Sequence, residues 1–155
     1  MSTYQRILDL LNKEYIPYTL MEHPPTPTSE LAAKHRNEPL RIGAKALILK
    51  IDDSYIMCVI SGDKKISSKE LKQILHTKKL RFANEEELYR ISNCIPGAVP
   101  PFGNLFKIRV LIDKKLIENE YITFNAGLLT KSIKMKTEDY IKLVKPIIEG
   151  RASVV

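Results

Sequence analysis

No apolar run in the sequence approaches the ~18 residues that a membrane span needs. The N-terminus, MSTYQRILDLLNKE, scatters charges through its apolar pattern, which is not how a secretory signal reads. No membrane partner is expected, and a cytoplasmic location is. Cysteine is scarce: there are two, Cys58 inside YIMCVI and Cys94 before Ile-Pro, and no CxxC pair. Both read as free thiols, Cys58 as a buried one. The three histidines, His23, His35 and His76, stand far apart and lack ligand spacing with either cysteine, so no metal site is expected. Also missing are a GxxxxGK(S/T) phosphate loop, a GxGxxG after a strand and a GxSxG elbow. No pair of catalytic carboxylates stands out, and neither Ser-His-Asp nor Cys-His chemistry has an anchor. No cofactor is expected. There is no repeat, linker or low-complexity segment.

What remains is an ordinary soluble composition. With 155 residues, 44% hydrophobic and 28% charged, the chain is too apolar for disorder and long enough for a real core. It is expected to form a single domain over 1–155. The formal net charge is +7, and such a surface attracts polyanions, of which nucleic acid is the commonest. The excess is mostly lysine spread along the chain, which an AT-biased genome would also produce. Charge alone therefore does not decide for a nucleic-acid partner.

The order of patterns is mixed. Ser2 or Thr3 can cap a helix with Ile7, Leu8, Leu10 and Leu11 on one side, ending before Pro17. Tyr18–Met21 reads as a short strand. His23-Pro-Pro-Thr-Pro-Thr reads as extended, because a residue before proline avoids the helical region. Thr26, with Pro27 in the first helical position, then predicts a helix to about His35. Ala44–Lys50 and Tyr55–Ile60 are apolar runs joined by Asp52-Asp53-Ser54, a hairpin. Their centres are apolar on both alternations, so these strands belong in the middle of a sheet covered on both faces. Ser68–Leu75 and Asn84–Ile91 are amphipathic helices, the second with three glutamates in its first turn, where the helix dipole favours them. Asn93–Gly103 is a loop, Ile108–Asp113 and Tyr121–Asn125 are strands, Ser132–Met135 is a third candidate strand, and Thr137–Lys145 is a closing helix. The fold class is α+β, a mixed central sheet with flanking helices, its strands too unevenly spaced for repeated βαβ units.

Three features break local rules. Lys45 opens the most apolar strand directly after Gly43-Ala44; taken alone it reads as a lysine that snorkels to solvent. The loop Gly97–Gly103 (GAVPPFG) has glycine at both ends and two prolines. Glycine allows close backbone approach to a ligand, and proline stiffens. Exposed N–H groups in such a loop can polarise a carbonyl. Pro100 and Pro101 donate nothing, which leaves Gly97, Ala98, Val99, Phe102 and Gly103; taken alone the loop is a rigid connection. Phe124-Asn125-Ala126-Gly127 ends a strand, with Ser132 seven residues after Asn125, and taken alone is a plain turn.

Together these segments are more specific. HPPTPTSELAA, GAKALILK, GAVPPFG, FNAG and KTEDYIKLVKP, in that order from about His23 to Pro146, resemble the YbaK/EbsC-like family. That family includes free-standing relatives of the editing domain of bacterial prolyl-tRNA synthetases, and the YeaK-like branch is similar in its loop and FNAG forms. The resemblance implies hydrolysis of a small amino acid (alanine, serine or cysteine) wrongly attached to tRNA. It places Lys45 at the family's lysine and Gly97 in the loop that cradles the aminoacyl ester. By the same resemblance Ala98, Val99, Pro100, Phe102, Gly103, Asn125, Gly127 and Ser132 bind substrate. Asn125 and Ser132 fall where some relatives carry a serine and an aspartate. The aspartate form goes with cysteinyl-tRNA, so Ser132 departs from it, as Pro100 departs from a serine. The implied chemistry uses water, oriented by the pocket and the substrate's 2′-OH, with no metal, covalent nucleophile or cofactor. Lys45, ordinarily near pKa ~10.4, is a poor base and a simpler cation for the phosphate or carbonyl. The implied partners are tRNA and, by family association, an aminoacyl-tRNA synthetase.

Two other readings compete. A non-catalytic module binding an aminoacyl group, a tRNA or a synthetase would keep the fold but has no need of Lys45 or the loop glycines. An esterase for small aminoacyl esters would act without the tRNA body.

Overall fold

The computed structural model describes residues 1–149 and 153–154. Helix α1 (Thr3–Lys13) starts at Ser2, whose hydroxyl accepts the Gln5 N–H at 3.1 Å, and it buries Ile7 and Leu11 one turn apart. Strand β1 (Tyr18–Glu22) follows. Helix α2 (Ser29–Arg36) begins two residues later than predicted, capped by Thr28 rather than Thr26. The Thr26 N–H and hydroxyl both donate to the Leu129 carbonyl, at 3.0 and 3.1 Å, which removes Thr26 from capping. The hairpin forms as β2 (Ala44–Ile51) and β3 (Ser54–Ser61). Next come β4 (Lys65–Ile66), α3 (Ser68–Ile74), β5 (Leu80–Phe82) and α4 (Glu85–Ser92). Asn84 and Glu87 close a reciprocal capping box on α4. The chain continues through β6 (Arg109–Asp113), α5 (Lys114–Ile117), β7 (Tyr121–Asn125), β8 (Lys131–Lys136) and α6 (Thr137–Val144). It closes with β9 (Ile147–Glu149) and β10 (Ser153–Val154).

A five-stranded sheet runs β5-β2-β3-β6-β9, antiparallel on the β5 side and parallel from β3 to β9. A three-stranded antiparallel sheet runs β1-β8-β7, and a bridge between Gly43 and Thr123 joins the two. The expected placement of the hairpin holds: β2 and β3 have neighbours on both sides and apolar cover on both faces. Alternation divides their side chains. Ile48, Met57 and Val59 join α1, α6 and the second sheet in the larger core, whereas Leu49, Cys58 and Ile60 pack under α3 with Leu71. Each such fully buried side chain contributes roughly 1.5–3 kcal/mol. Burial pushes the Cys58 thiol up to about 12, so it is inert at neutral pH.

One edge is left open. β5 pairs with β2 only over Leu49–Ile51, and beyond this the Ala83 N–H reaches the Ile48 carbonyl at 2.9 Å. Antiparallel ladders alternate, so the even-numbered residues of β2 direct N–H and C=O to that outer edge. Ala46 therefore presents both groups where no strand covers them. Among the described residues no helix is long and apolar enough to cross a membrane.

Candidate active site

A cavity of about 240 Å³ lies against the open start of β2, between α2 and the turn at Gly97; Thr26, Arg36, Lys45, Gly97, Val99 and Asn125 line it. Lys45 is half-buried, and its Nζ donates to the Lys64 carbonyl at 2.8 Å. Burial lowers its pKa, and the charges of Glu30 and Asp63 work against that shift while Lys65 adds to it. An ammonium has three donors, so two remain for a ligand.

The loop opposite divides in the middle. Pro96 and Gly97 take the central positions of a turn closed by the Ala98 N–H on the Ile95 carbonyl at 3.1 Å, and Gly97 has φ +86°. A type II turn requires that sign of φ at its third residue, and proline suits its second. Among the described residues neither Gly97 nor Val99 gives its N–H to a backbone carbonyl. The second half faces inward. Phe102 is fully buried between Phe124 and Tyr140, with ring centroids at 5.4 and 5.2 Å, and the Tyr140 hydroxyl donates to the Pro101 carbonyl at 2.6 Å. A Cβ at Gly103 would meet Val110 Cγ2 at 2.6 Å and the Ile108 carbonyl oxygen at 2.7 Å, so close packing selects glycine there.

Of the residues assigned to substrate by sequence, Val99 and Asn125 line the cavity with Lys45 and Gly97. Ala98, Pro100, Phe102 and Gly103 do not: they are buried beneath the loop, and the Ala98 and Phe102 N–H groups are spent on Ile95 and Pro100. Gly127 (φ +87°) packs against the start of α1, where a Cβ would lie 2.8 Å from the Tyr4 nitrogen. Ser132 is fully buried behind the wall, so its role as a pocket surface is replaced by one in a network.

That network centres on Arg36, which sequence reasoning passed over. Its guanidinium donates to Ser132 Oγ at 2.8 Å, Thr123 Oγ1 at 3.2 Å and Asn125 Oδ1 at 3.1 Å. Ser132 also meets His23 Nε2 at 2.7 Å. The Asn125 amide, with its oxygen held by Arg36, donates to the Gly97 carbonyl at 2.9 Å. Arg36 thus braces Asn125, and Asn125 clamps the Gly97 turn. No carboxylate lies at ion-pair distance from Arg36 among the described residues; Glu38 pairs with Lys134 instead. Burial pushes the Arg36 guanidinium down to about 10, partly offset by the Glu38 charge, so it stays cationic at neutral pH. A signal for Arg36 did exist: it stands four residues after the buried Ala32, on the same face of α2.

The site therefore presents two cations, unspent backbone donors and no carboxylate among its lining residues. It suits an electron-rich neutral or anionic group, such as an ester carbonyl or a phosphate. No cluster of metal-ligating side chains occurs among the described residues.

Comparison with known proteins places the chain in one family. The Escherichia coli "Multifunctional Ser/Thr-tRNA deacylase ProXp-y" is 29% identical over 149 residues, covering 93% of this chain and 89% of that protein. The Acetoanaerobium sticklandii "Prolyl-tRNA editing protein ProX" is 30% identical over 151 residues, covering 94% and 92%. A solved structure described as a candidate trans-editing enzyme for prolyl tRNA synthetase superposes with a TM-score of 0.84 over 96% of both chains, at 17% identity, which is a likeness of fold. The model of the aminoacyl-tRNA editing domain matches residues 23–143, from the histidine of the network to the last turn of α6, and the chain belongs to that family.

Proposed function

We propose that the chain hydrolyses the ester between a small amino acid and the 3′-terminal ribose of tRNA, acting in trans on mischarged tRNA. The observation that carries this reading is the meeting, on one cavity, of the Lys45 ammonium and the Gly97 turn with its unspent N–H groups. Water attacks the ester carbonyl carbon, and the resulting oxyanion is stabilised by the Gly97 and Val99 N–H groups. The carbon–oxygen bond to ribose then breaks, and the leaving ribose oxygen takes up the proton that the attacking water gave up. The products are a free amino acid and a tRNA with an intact 3′ end. Lys45 holds the carbonyl region or the terminal phosphate as a cation. These steps call on no metal or cofactor.

The amino acid is small: alanine, serine or cysteine. Serine is favoured among them, because Thr26, Arg36 and Asn125 give the cavity a polar lining that suits a hydroxyl, and because the Escherichia coli relative bears serine and threonine in its name. One methylene changes selectivity by only ~1–3 kcal/mol, whereas hydrogen bonds built for a hydroxyl reject its absence far more strongly.

The test is a deacylation panel of several tRNAs, each charged with alanine, serine, cysteine or proline, with ester loss followed over time. Serine is expected to leave fastest, and Lys45→Ala to abolish hydrolysis while the protein stays folded by circular dichroism. A folded Lys45→Ala variant with full activity would sink the mechanism.

A further inference from the structure

A second cavity, of about 160 Å³, opens beside the first. The two share Ala46, Leu47, Gly97 and Val99, so they are lobes of one cleft along the open edge of β2. The second lobe has its own chemistry. Phe82, Ala83, Leu88 and Pro96 make it apolar, and Glu85 is its one charged lining residue. Phe82, at the end of the edge strand β5, leaves 54% of its surface exposed. Next to it along the chain, a third and open depression gathers Lys50, Lys72, Lys78, Lys79 and Arg81 against a single acid, Asp52. Arg81 is already forked onto Glu87, at 2.6 and 3.0 Å, whereas the lysines of that depression have no ion-pair partner among the described residues.

We propose that the second lobe holds the terminal base of the tRNA, stacked on Phe82, and that the lysine depression beyond takes the phosphates of the preceding nucleotides. This rests on the deacylase reading. The ester and the base hang from the same ribose, so a carbonyl at Gly97 places the base within one sugar's span of that residue. Gly97 lines both lobes, and the ribose fits at their junction. There the Ala46 N–H and C=O, without a strand partner at this edge among the described residues, offer a donor and an acceptor to hydroxyls or to the edge of a base. An apolar lobe with an aromatic ring at its mouth suits the π-face of a base. It does not suit a second amino acid or a phosphate, because no charged groups converge in it. The lysine depression supplies the opposite preference, and the acceptor strand needs both in that order.

The test labels the 3′ end of uncharged tRNA with 2-aminopurine in place of the terminal adenine. Wild-type protein is expected to quench the fluorescence by stacking. Phe82→Ala should abolish the quench and Phe82→Trp should retain it. On charged tRNA, Phe82→Ala should lower kcat/KM about tenfold, through KM. The gap between variant and wild type should close on a substrate whose terminal ribose carries no base. Replacing Lys78 and Lys79 by glutamate should flatten the salt dependence of binding by ~0.7 in log–log slope for each phosphate no longer neutralised. No quench with wild type, a quench that survives in Phe82→Ala, or an equal loss on the abasic substrate overturns the proposal. The two readings fail separately. Wild type that quenches but hydrolyses no ester sinks the deacylase reading and leaves the base lobe standing. Wild type that hydrolyses but shows no Phe82-dependent quench sinks the lobe alone.

Discussion

The two halves of the loop Gly97–Gly103 are built from the same residue types and do opposite things. In the first half, glycine at φ +86° makes a turn that lines a cavity, and the Gly97 and Val99 N–H groups find no backbone acceptor among the described residues. In the second half, glycine is the one residue that fits between Val110 and Ile108, and a phenylalanine locks the loop into the core. Glycine and proline content therefore does not say whether a loop addresses a ligand or the interior. Only the neighbours decide that.

Four experiments break or sharpen this contrast. The largest effect is expected from Phe102→Ala, which empties an aromatic site between Phe124 and Tyr140 and should cost ~3–5 kcal/mol of stability by urea denaturation. Where the variant remains folded, its KM should stay near wild type, because the ring does not line the cavity. Gly97→Val should act the other way round. Its positive φ is unfavourable for any L side chain, at ~1–2 kcal/mol. A displaced oxyanion donor should add a ~10²–10³-fold loss in kcat. A stability loss as large as that of Phe102→Ala, with kcat intact, would erase the distinction between the halves.

Asn125→Ala comes next. It frees the Gly97 carbonyl and leaves the Arg36 and Ser132 donors short of an acceptor, at ~1–3 kcal/mol. Steady-state kinetics should show kcat falling more than KM rises, since the turn loses its position rather than its chemistry. The smallest effect concerns pH. Lys45 loses its proton below the ordinary lysine range, because burial disfavours the charge. If the cation acts, kcat/KM is full below that pKa and falls as pH rises through it, and Lys45→Arg should move the limb upward. A rate that climbs through the same range would instead make Lys45 a base.

Local patterns in the chain account for a large part of the fold. The cap at Ser2, the box at Asn84 and Glu87, and the alternation in β2 and β3 all act between near neighbours. The strands β4, β5 and β9 escaped, because two or three residues carry no readable period. The parallel pairing of β3 with β6 escaped for another reason: nothing local distinguishes a parallel partner from an antiparallel one. In the site, Lys45, Gly97 and Asn125 could be singled out because each breaks a pattern within a few residues of itself. His23 carries no such local mark and Arg36 only its place one turn after Ala32, since the meaning of both lies in Ser132 and Asn125, which stand far along the chain on β8 and β7.

The sequence by itself determined the elements with long period or explicit caps, the existence of the loop Asn93–Gly103 and the lysine at the head of β2. These follow from dihedral preference and hydrogen bonding between residues close in the chain. Tertiary structure alone decided which half of the loop faces the cavity. It also placed Ser132 behind the wall rather than on it, and made a guanidinium with no carboxylate at ion-pair distance among the described residues the brace of the site. Burial and facing depend on groups brought from distant segments, and a sequence pattern records those groups one at a time.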